Sequence, residues 1–179
     1  MHGSAAQCGG IDSERKHGMF AAKVEDVKKM MGALLVGEIF DGFLCVEAKA
    51  ETYYKMSVNG RVKKEFFGEE EAYGEEFMSW KDAKEFFYRM IRGKRLPGSI
   101  RVVLAADGAT VTRIAQENNV SPEGIGLYLN LQYEKGSCLL TGGVSRPGFT
   151  MDRTLENAWD AYLEQFFKQN EITVSTRLT

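Results

Sequence analysis

Histidine is nearly missing from this chain of 179 residues: both copies, His2 and His17, fall in the first eighteen. From Met19 onward there is none, which removes Ser-His-Asp and Cys-His catalysis, histidine-ligated zinc and histidine general bases from the rest of the chain. Cysteine is scarce too. Cys8, Cys45 and Cys138 are too few and too scattered for a disulfide framework or a Cys-x-x-Cys metal site, so Cys45 and Cys138 are expected as buried thiols in a reducing cytoplasm. No apolar run nears the roughly 18 residues that a membrane span needs, and the first residues lack the apolar centre of a signal peptide. A cytoplasmic protein with no membrane partner is expected. Neither a Gly-x-x-x-x-Gly-Lys loop nor a Gly-x-Gly-x-x-Gly turn occurs, and no cofactor is expected. The formal charge of -2 exerts no global pull on nucleic acid or anionic lipid, although a local basic patch stays open.

What the chain has is enough length for one domain, which at this size buries roughly 70% of its unfolded surface. Residues 1–18, rich in Gly, Ser, Ala and charge without periodicity, read as a disordered leader to a single domain over 19–179. The most informative stretch lies between Phe43 and Phe67. Leu44, Val46, Ala48, Ala50, Thr52, Tyr54, Met56 and Val58 alternate with Glu47, Lys49, Glu51, Lys55 and Ser57, which predicts a strand with one dry and one wet face. Asn59-Gly60 then predicts a hairpin turn. A loop of Val58-Asn59-Gly60 pairs Met56 with Val62 and Thr52 with Phe66, and so keeps the apolar residues together. A strand of that length spans about 50 Å at about 3.3 Å per residue, so a bend or bulge is expected near Glu51 to Tyr53.

The other elements follow in order. Met19 to Val24 predicts a short strand and Glu25 to Val36 a helix closed by Gly37. Glu65 to Phe77 reads as a solvated acidic connection. Ser79 is a helix cap, with Trp80, Ala83, Phe86, Phe87, Met90 and Ile91 as the buried stripe. Ile100 to Ala106 is nearly all apolar and predicts a central strand, and Thr110 to Asn118 a short helix capped by Asp107. A second hairpin turns at Lys135-Gly136, pairing Tyr133 with Cys138, Leu131 with Leu140 and Leu127 with Val144. Thr141 to Gly148 reads as a ligand-facing loop, Leu155 to Gln169 as a core helix, and Glu171 to Thr179 as an edge strand or a frayed end.

The series strand, helix, strand, strand, helix occurs twice, over about 19–95 and 99–170. It predicts an α+β fold built from a duplicated β-α-β-β-α unit, a curved and mainly antiparallel sheet with helices packed on one face. That layout is similar to the duplicated saddles of TATA-binding proteins and the half-domains of sliding clamps, a similarity of architecture that carries no function. The wet sheet face is then the expected display surface. Candidate binding residues are Lys49, Tyr53, Lys55, Arg61, Lys63, Tyr128, Asn130 and Arg146, with no catalytic or metal-ligating set. Glu47 and Glu51 are expected to pair with Lys49 and Lys55 rather than to act as an acid/base couple. Arg89, Arg92, Lys94 and Arg95 would make a phosphate-binding patch if they joined Arg61, Lys63, Lys64 and Arg101, with Tyr53 or Tyr128 as stacking surfaces.

Several short stretches together carry a resemblance. Lys23-Val24-Glu25-Asp26-Val27-Lys28, Val58-Asn59-Gly60-Arg61 with Lys64-Glu65-Phe66-Phe67, Ser79-Trp80-Lys81, and Phe149-Thr150-Met151-Asp152 running to Leu155-Glu156-Asn157-Ala158-Trp159-Asp160 resemble a clostridial (Firmicutes) family classed as a domain of unknown function. The resemblance runs over roughly 19–170 and implies a cytoplasmic, single-domain bacterial protein. It carries over no catalytic or binding residue. The expected function is therefore a non-catalytic binding or scaffolding protein with an unspecified partner, protein favoured over nucleic acid. Nucleic-acid binding through a basic patch and a histidine-independent enzyme are the alternatives.

Overall fold

Asp26 and Ser79 each turn a side-chain oxygen onto the amide three residues ahead, Asp26 Oδ1 accepting from Lys29 N at 2.9 Å and Ser79 Oγ from Asp82 N at 3.2 Å. Asp107 does the same for Thr110 N at 2.9 Å, so three of the four helices start at a short polar side chain that satisfies a free amide. The computed structural model describes residues 19–67, 74–93 and 95–176. Its elements are β1 (Ala21–Val24), α1 (Val27–Leu35), β2 (Phe43–Glu51), β3 (Lys55–Asn59), β4 (Met78–Ser79), α2 (Trp80–Ile91), β5 (Ser99–Ala106), α3 (Gly108–Glu117), β6 (Gly126–Glu134), β7 (Ser137–Ser145), α4 (Thr154–Gln169) and β8 (Val174–Ser175). The expected leader lies outside the described residues.

The eight strands form one open antiparallel sheet in the order β3-β2-β5-β6-β7-β1-β8, with β4 also paired to β2. The fold is α+β. β5 lies inside the sheet between β2 and β6, as its nearly continuous apolar run requires. One core cluster joins Met30 and Leu34 of α1, Trp80 and Phe87 of α2, Ile114 of α3 and Trp159 and Phe167 of α4 to alternate residues of the long strands. All four helices therefore cover the same sheet face. Trp80 Nε1 donates to Leu34 O at 2.9 Å and Trp159 Nε1 to Tyr128 O at 2.9 Å, so each large ring is anchored to backbone as well as packed.

The β6–β7 hairpin has the expected register, with Tyr133 opposite Cys138, Leu131 opposite Leu140 and Leu127 opposite Val144. Lys135 and Gly136 take φ of 48° and 76°, the left-handed values that a two-residue turn demands. The first hairpin differs from expectation. It turns at Thr52-Tyr53-Tyr54, and Glu51 pairs with Lys55, Ala50 with Met56 and Ala48 with Val58. The expected register would have set Lys55 against Lys63, two like charges, whereas the observed one sets Lys55 against Glu51. Gly60 is needed for contact rather than for a turn: a Cβ there would sit 1.7 Å from the Cys45 carbonyl oxygen. Thr52 and Tyr54, expected on the dry face, are exposed in the turn.

Four further differences matter. Between Cys45 and Glu47 the register of β2 on β5 shifts, so Val46 bulges. Phe43 and Cys45 then face the helices, while Leu44 and Val46 join Phe77 and Ala105 in a small cluster on the opposite face. The stretch expected as a returning strand instead contains a 3-10 turn, Lys64–Phe66, and leaves Phe66 83% exposed. Phe86, expected in the α2 stripe, is exposed as well, because α2 buries Trp80, Ala83, Phe87 and Ile91 in the core with Met90 packed beside them. Finally, Thr141 to Ser145 belongs to β7 rather than to a loop, with Gly142 placed close to Leu163 and Phe20.

The strand, helix, strand, strand, helix series recurs in chain order, with β4 added in the first pass and β8 after the second. The hairpin pairing recurs, β2 with β3 and β6 with β7, but that of the first strand does not. β5 lies against β6 of its own series, whereas β1 lies against β7 of the other.

Candidate binding face

Among the described residues no helix lies on the sheet's second face, and the strand registers give its side-chain rows directly. One row runs Ser57, Lys49, Arg101, Gln132, Leu139, Lys23, Ser175 across seven strands. A second runs Lys55, Glu51, Ser99, Glu134, Ser137, and a third Asn59, Glu47, Val103, Asn130, Thr141, Ala21. Leu44, Ala105 and Tyr128 close the far end. The face thus grades from charged at the hairpin tips to small and apolar near Tyr128.

Most of the charge is locally matched. Lys49 Nζ lies 2.8 Å from Glu47 Oε1 and Lys55 Nζ 3.4 Å from Glu51 Oε1, the pairing expected from their shared face. Both pairs are solvated, so their worth is about 0–1 kcal/mol and they serve to set local polarity more than stability. Arg101, on the central strand, lines a shallow depression of about 280 Å³ with Lys49, Glu51, Gln132 and Glu134. Its guanidinium and the Lys49 ammonium face solvent beside two carboxylates. The arrangement suits a surface of mixed charge rather than a single small anion.

The expected site residues fall into four places. Lys49, Lys55, Tyr128 and Asn130 share the open face, with Tyr128 half buried against Leu44, Phe77 and Ala105. Tyr53 stands at the β2–β3 tip, 70% exposed, with the Arg95 guanidinium 5.2 Å over its ring. Arg61 and Lys63 lie past the end of β3, where Arg61 pairs with Glu76 at 2.7 Å and covers Phe77. Arg146 is not on the face at all: it is held in an ion pair with Glu156 of α4, with 14% of its side chain exposed. The expected phosphate patch is not assembled. Arg61 lies past the Asn59 end of β3 and Arg95 over Tyr53 beyond its Lys55 end, with the strand, about 17 Å long at about 3.3 Å per residue, between them, and Arg89 is paired with Glu85. Lys94 lies outside the described residues. Gln132 is the addition, and Arg101, expected only as a member of the phosphate patch, takes a place in the row instead; both follow from Lys49 once the β2–β5 and β5–β6 registers are set.

Residues 33–175 match the model of a family described as a family of unknown function, DUF5721. The chain belongs to that family. No curated protein and no solved structure matches the chain. The DUF5721 match begins within α1 and runs into β8, later at both ends than the expected 19–170. It takes in every residue of the open face named above apart from Ala21 and Lys23.

Elsewhere the ionisable groups have structural tasks. The start of α3 is occupied from within: Glu75 Oε1 accepts from Gly108 N at 3.0 Å, beside the Asp107 cap. Burial pushes the Cys45 and Cys138 thiols up to about 11, with the Glu47 charge adding to the first, so both stay protonated and poorly nucleophilic at neutral pH. Burial also raises the Asp160 carboxyl although it accepts from Phe20 N at 2.9 Å, a bond that fixes the approach to β1 onto α4. Among the described residues no three His, Cys, Asp or Glu side chains gather as a metal site, and no helix is long and apolar enough to cross a membrane.

Proposed function

We propose that the protein is a non-catalytic binding module that holds a protein partner against the open sheet face. The observation that carries this reading is the one-sided cover: four helices share a single core, while Lys49, Arg101, Gln132, Leu139 and Lys23 stand in one exposed row on the other side. Interleaved acids and bases on that face complement another protein surface better than a uniformly negative phosphate backbone. A bacterial, cytoplasmic setting belongs to the same reading; the two free, buried thiols suit its reducing compartment.

The test is affinity capture from lysate with the wild type and with Lys49→Ala/Arg101→Ala/Gln132→Ala as paired baits, read by quantitative mass spectrometry. All three side chains lie on the solvated face, so the variant keeps its fold. The same partner should be enriched by the wild type and lost with the variant. Equal enrichment by both baits, or no partner together with turnover on a substrate panel, overturns the reading.

One observation favours a second reading. Arg95 over Tyr53, next to the 75% exposed Tyr54, is the pairing of cation and stacking surface that single-stranded nucleic acid uses. It predicts an oligonucleotide gel shift that weakens steeply with salt. Absence of any shift at low salt ends it.

A further inference from the structure

The edge of the sheet at β3 has a backbone parity that the face does not reveal. Gly60 N donates to Val46 O at 3.0 Å and Thr52 N to Tyr54 O at 3.0 Å, and both bonds belong to the same ladder as the pairs Ala48 with Val58 and Ala50 with Met56. Even-numbered residues therefore make the rungs to β2. In a strand, successive residues turn their N–H and C=O to opposite sides. Lys55, Ser57 and Asn59 thus aim their backbone groups away from β2, and among the described residues no strand lies along that side. Three outward donors and three outward acceptors in five residues make a template for another strand.

We propose that this edge pairs with β3 of a second copy of the chain, antiparallel about a two-fold axis through Ser57. An isologous contact needs a patch that complements itself. Centring the axis at Ser57 is the one register that engages all three outward residues on both strands. Ser57 then faces Ser57 of the other copy, and Lys55 faces Asn59, so no like charges meet. On the helix side Met56 faces Val58, both partly buried side chains at the margin of the core. Shifting the axis to Lys55 would oppose two ammonium groups, and shifting it to Asn59 would run the pair into the point where the chain leaves β3 at Gly60. The result is one continuous sheet across two copies, with both open faces on the same side. This inference stands apart from the function proposed above, since it uses the edge and leaves the face free.

Sedimentation of the full chain over a concentration series tests it, with Ser57→Pro and Ser57→Lys alongside. Ser57→Pro removes an outward N–H and leaves the rungs to β2 intact, the position in which edge strands tolerate proline. Ser57→Lys places two like charges on the axis without touching the backbone. Wild type should shift from the 20.1 kDa protomer mass to twice that mass, and both variants should stay at one protomer with unchanged circular dichroism. Ser57→Cys in a Cys8→Ser background reads the register: facing Cα atoms of a hydrogen-bonded pair lie about 5.5 Å apart, within disulfide reach. Oxidised glutathione should link Ser57→Cys into a covalent dimer and leave Lys55→Cys unlinked. A wild type that stays at one protomer, a Ser57→Lys variant that dimerises as well as the wild type, or equal cross-linking at Lys55→Cys overturns the proposal.

Discussion

The two hairpins are built on the same alternation, yet only the second turns where its sequence suggests. In β6–β7 a left-handed pair, Lys135-Gly136, is flanked by strands whose apolar positions face one another in one register only. In the paired stretch of β2–β3 the apolar residues, Ala48, Ala50, Met56 and Val58, are all even-numbered, and any antiparallel register whose paired numbers sum to an even value keeps them together. A continuous strand, a three-residue turn at Val58-Asn59-Gly60 and a turn at Thr52-Tyr53-Tyr54 satisfy that pattern alike. Charge decides among them, through Lys55 against Glu51, and so does the close contact of Gly60 with Cys45. Hydrophobic parity assigns faces. It does not locate the turn when the loop has an odd number of residues.

The comparison breaks first at the two glycines. Gly60→Ala drives a Cβ into the Cys45 carbonyl and should cost about 3 kcal/mol or more, whereas Gly136→Ala has open space and carries only the penalty of its positive φ, about 1 kcal/mol. Urea unfolding at unchanged m-value measures both. Similar losses at the two positions would return Gly60 to the role of an ordinary turn residue.

The tryptophans give the next contrast. Trp80→Phe leaves the Leu34 carbonyl without its donor in a fully buried site, and Trp159→Phe does so at the half-buried Tyr128 carbonyl of the second hairpin. Losses of about 2–3 and about 1 kcal/mol respectively are expected from thermal and urea unfolding. A smaller effect lies in the second turn itself. Lys135→Asn, a residue better suited to left-handed φ, should raise stability by about 0.5–1 kcal/mol, while Tyr53→Asn at the first tip should stay within about 0.5 kcal/mol of the wild type.

The smallest effect concerns β1, which flanks the second hairpin and is approached through the Asp160 bond to Phe20. Because the folded carboxyl titrates above its unfolded value, the folded state binds more proton between those two values. Stability therefore falls as pH rises through that window and levels off above it. Asp160→Asn, which retains an oxygen for the Phe20 amide, should remove this slope in a series of unfolding curves across acid pH. A slope of the opposite sign would mean that the hydrogen bond outweighs burial.

Where the sequence was readable, one physical signal had no rival. Ser79 and Asp107 cap helices because each is a short acceptor ahead of apolar periodicity, and β5 is central because its run from Val102 to Ala106 is apolar throughout; Asp26, expected inside a helix starting at Glu25, is instead the cap of a helix starting at Val27. Phe43 to Val46 was unreadable in the same terms, since four consecutive apolar residues fit either face and the bulge at Val46 leaves no compositional mark. Lys49 and Lys55 could be set on the open face from alternation alone. Arg146 could not, because its partner Glu156 sits on a helix that the chain reaches only after a further loop. Arg101 needed the register of two neighbouring strands before its place in the row became visible.

Hydroxyl-radical footprinting of the chain alone and with the partner captured by the wild-type bait tests the open face most directly. The account predicts protection at Leu139, Gln132 and Arg101, with Phe86 and Tyr88 on the outer side of α2 reacting as in the free chain. Protection confined to Phe86 and Tyr88, with Leu139 unchanged, would contradict it.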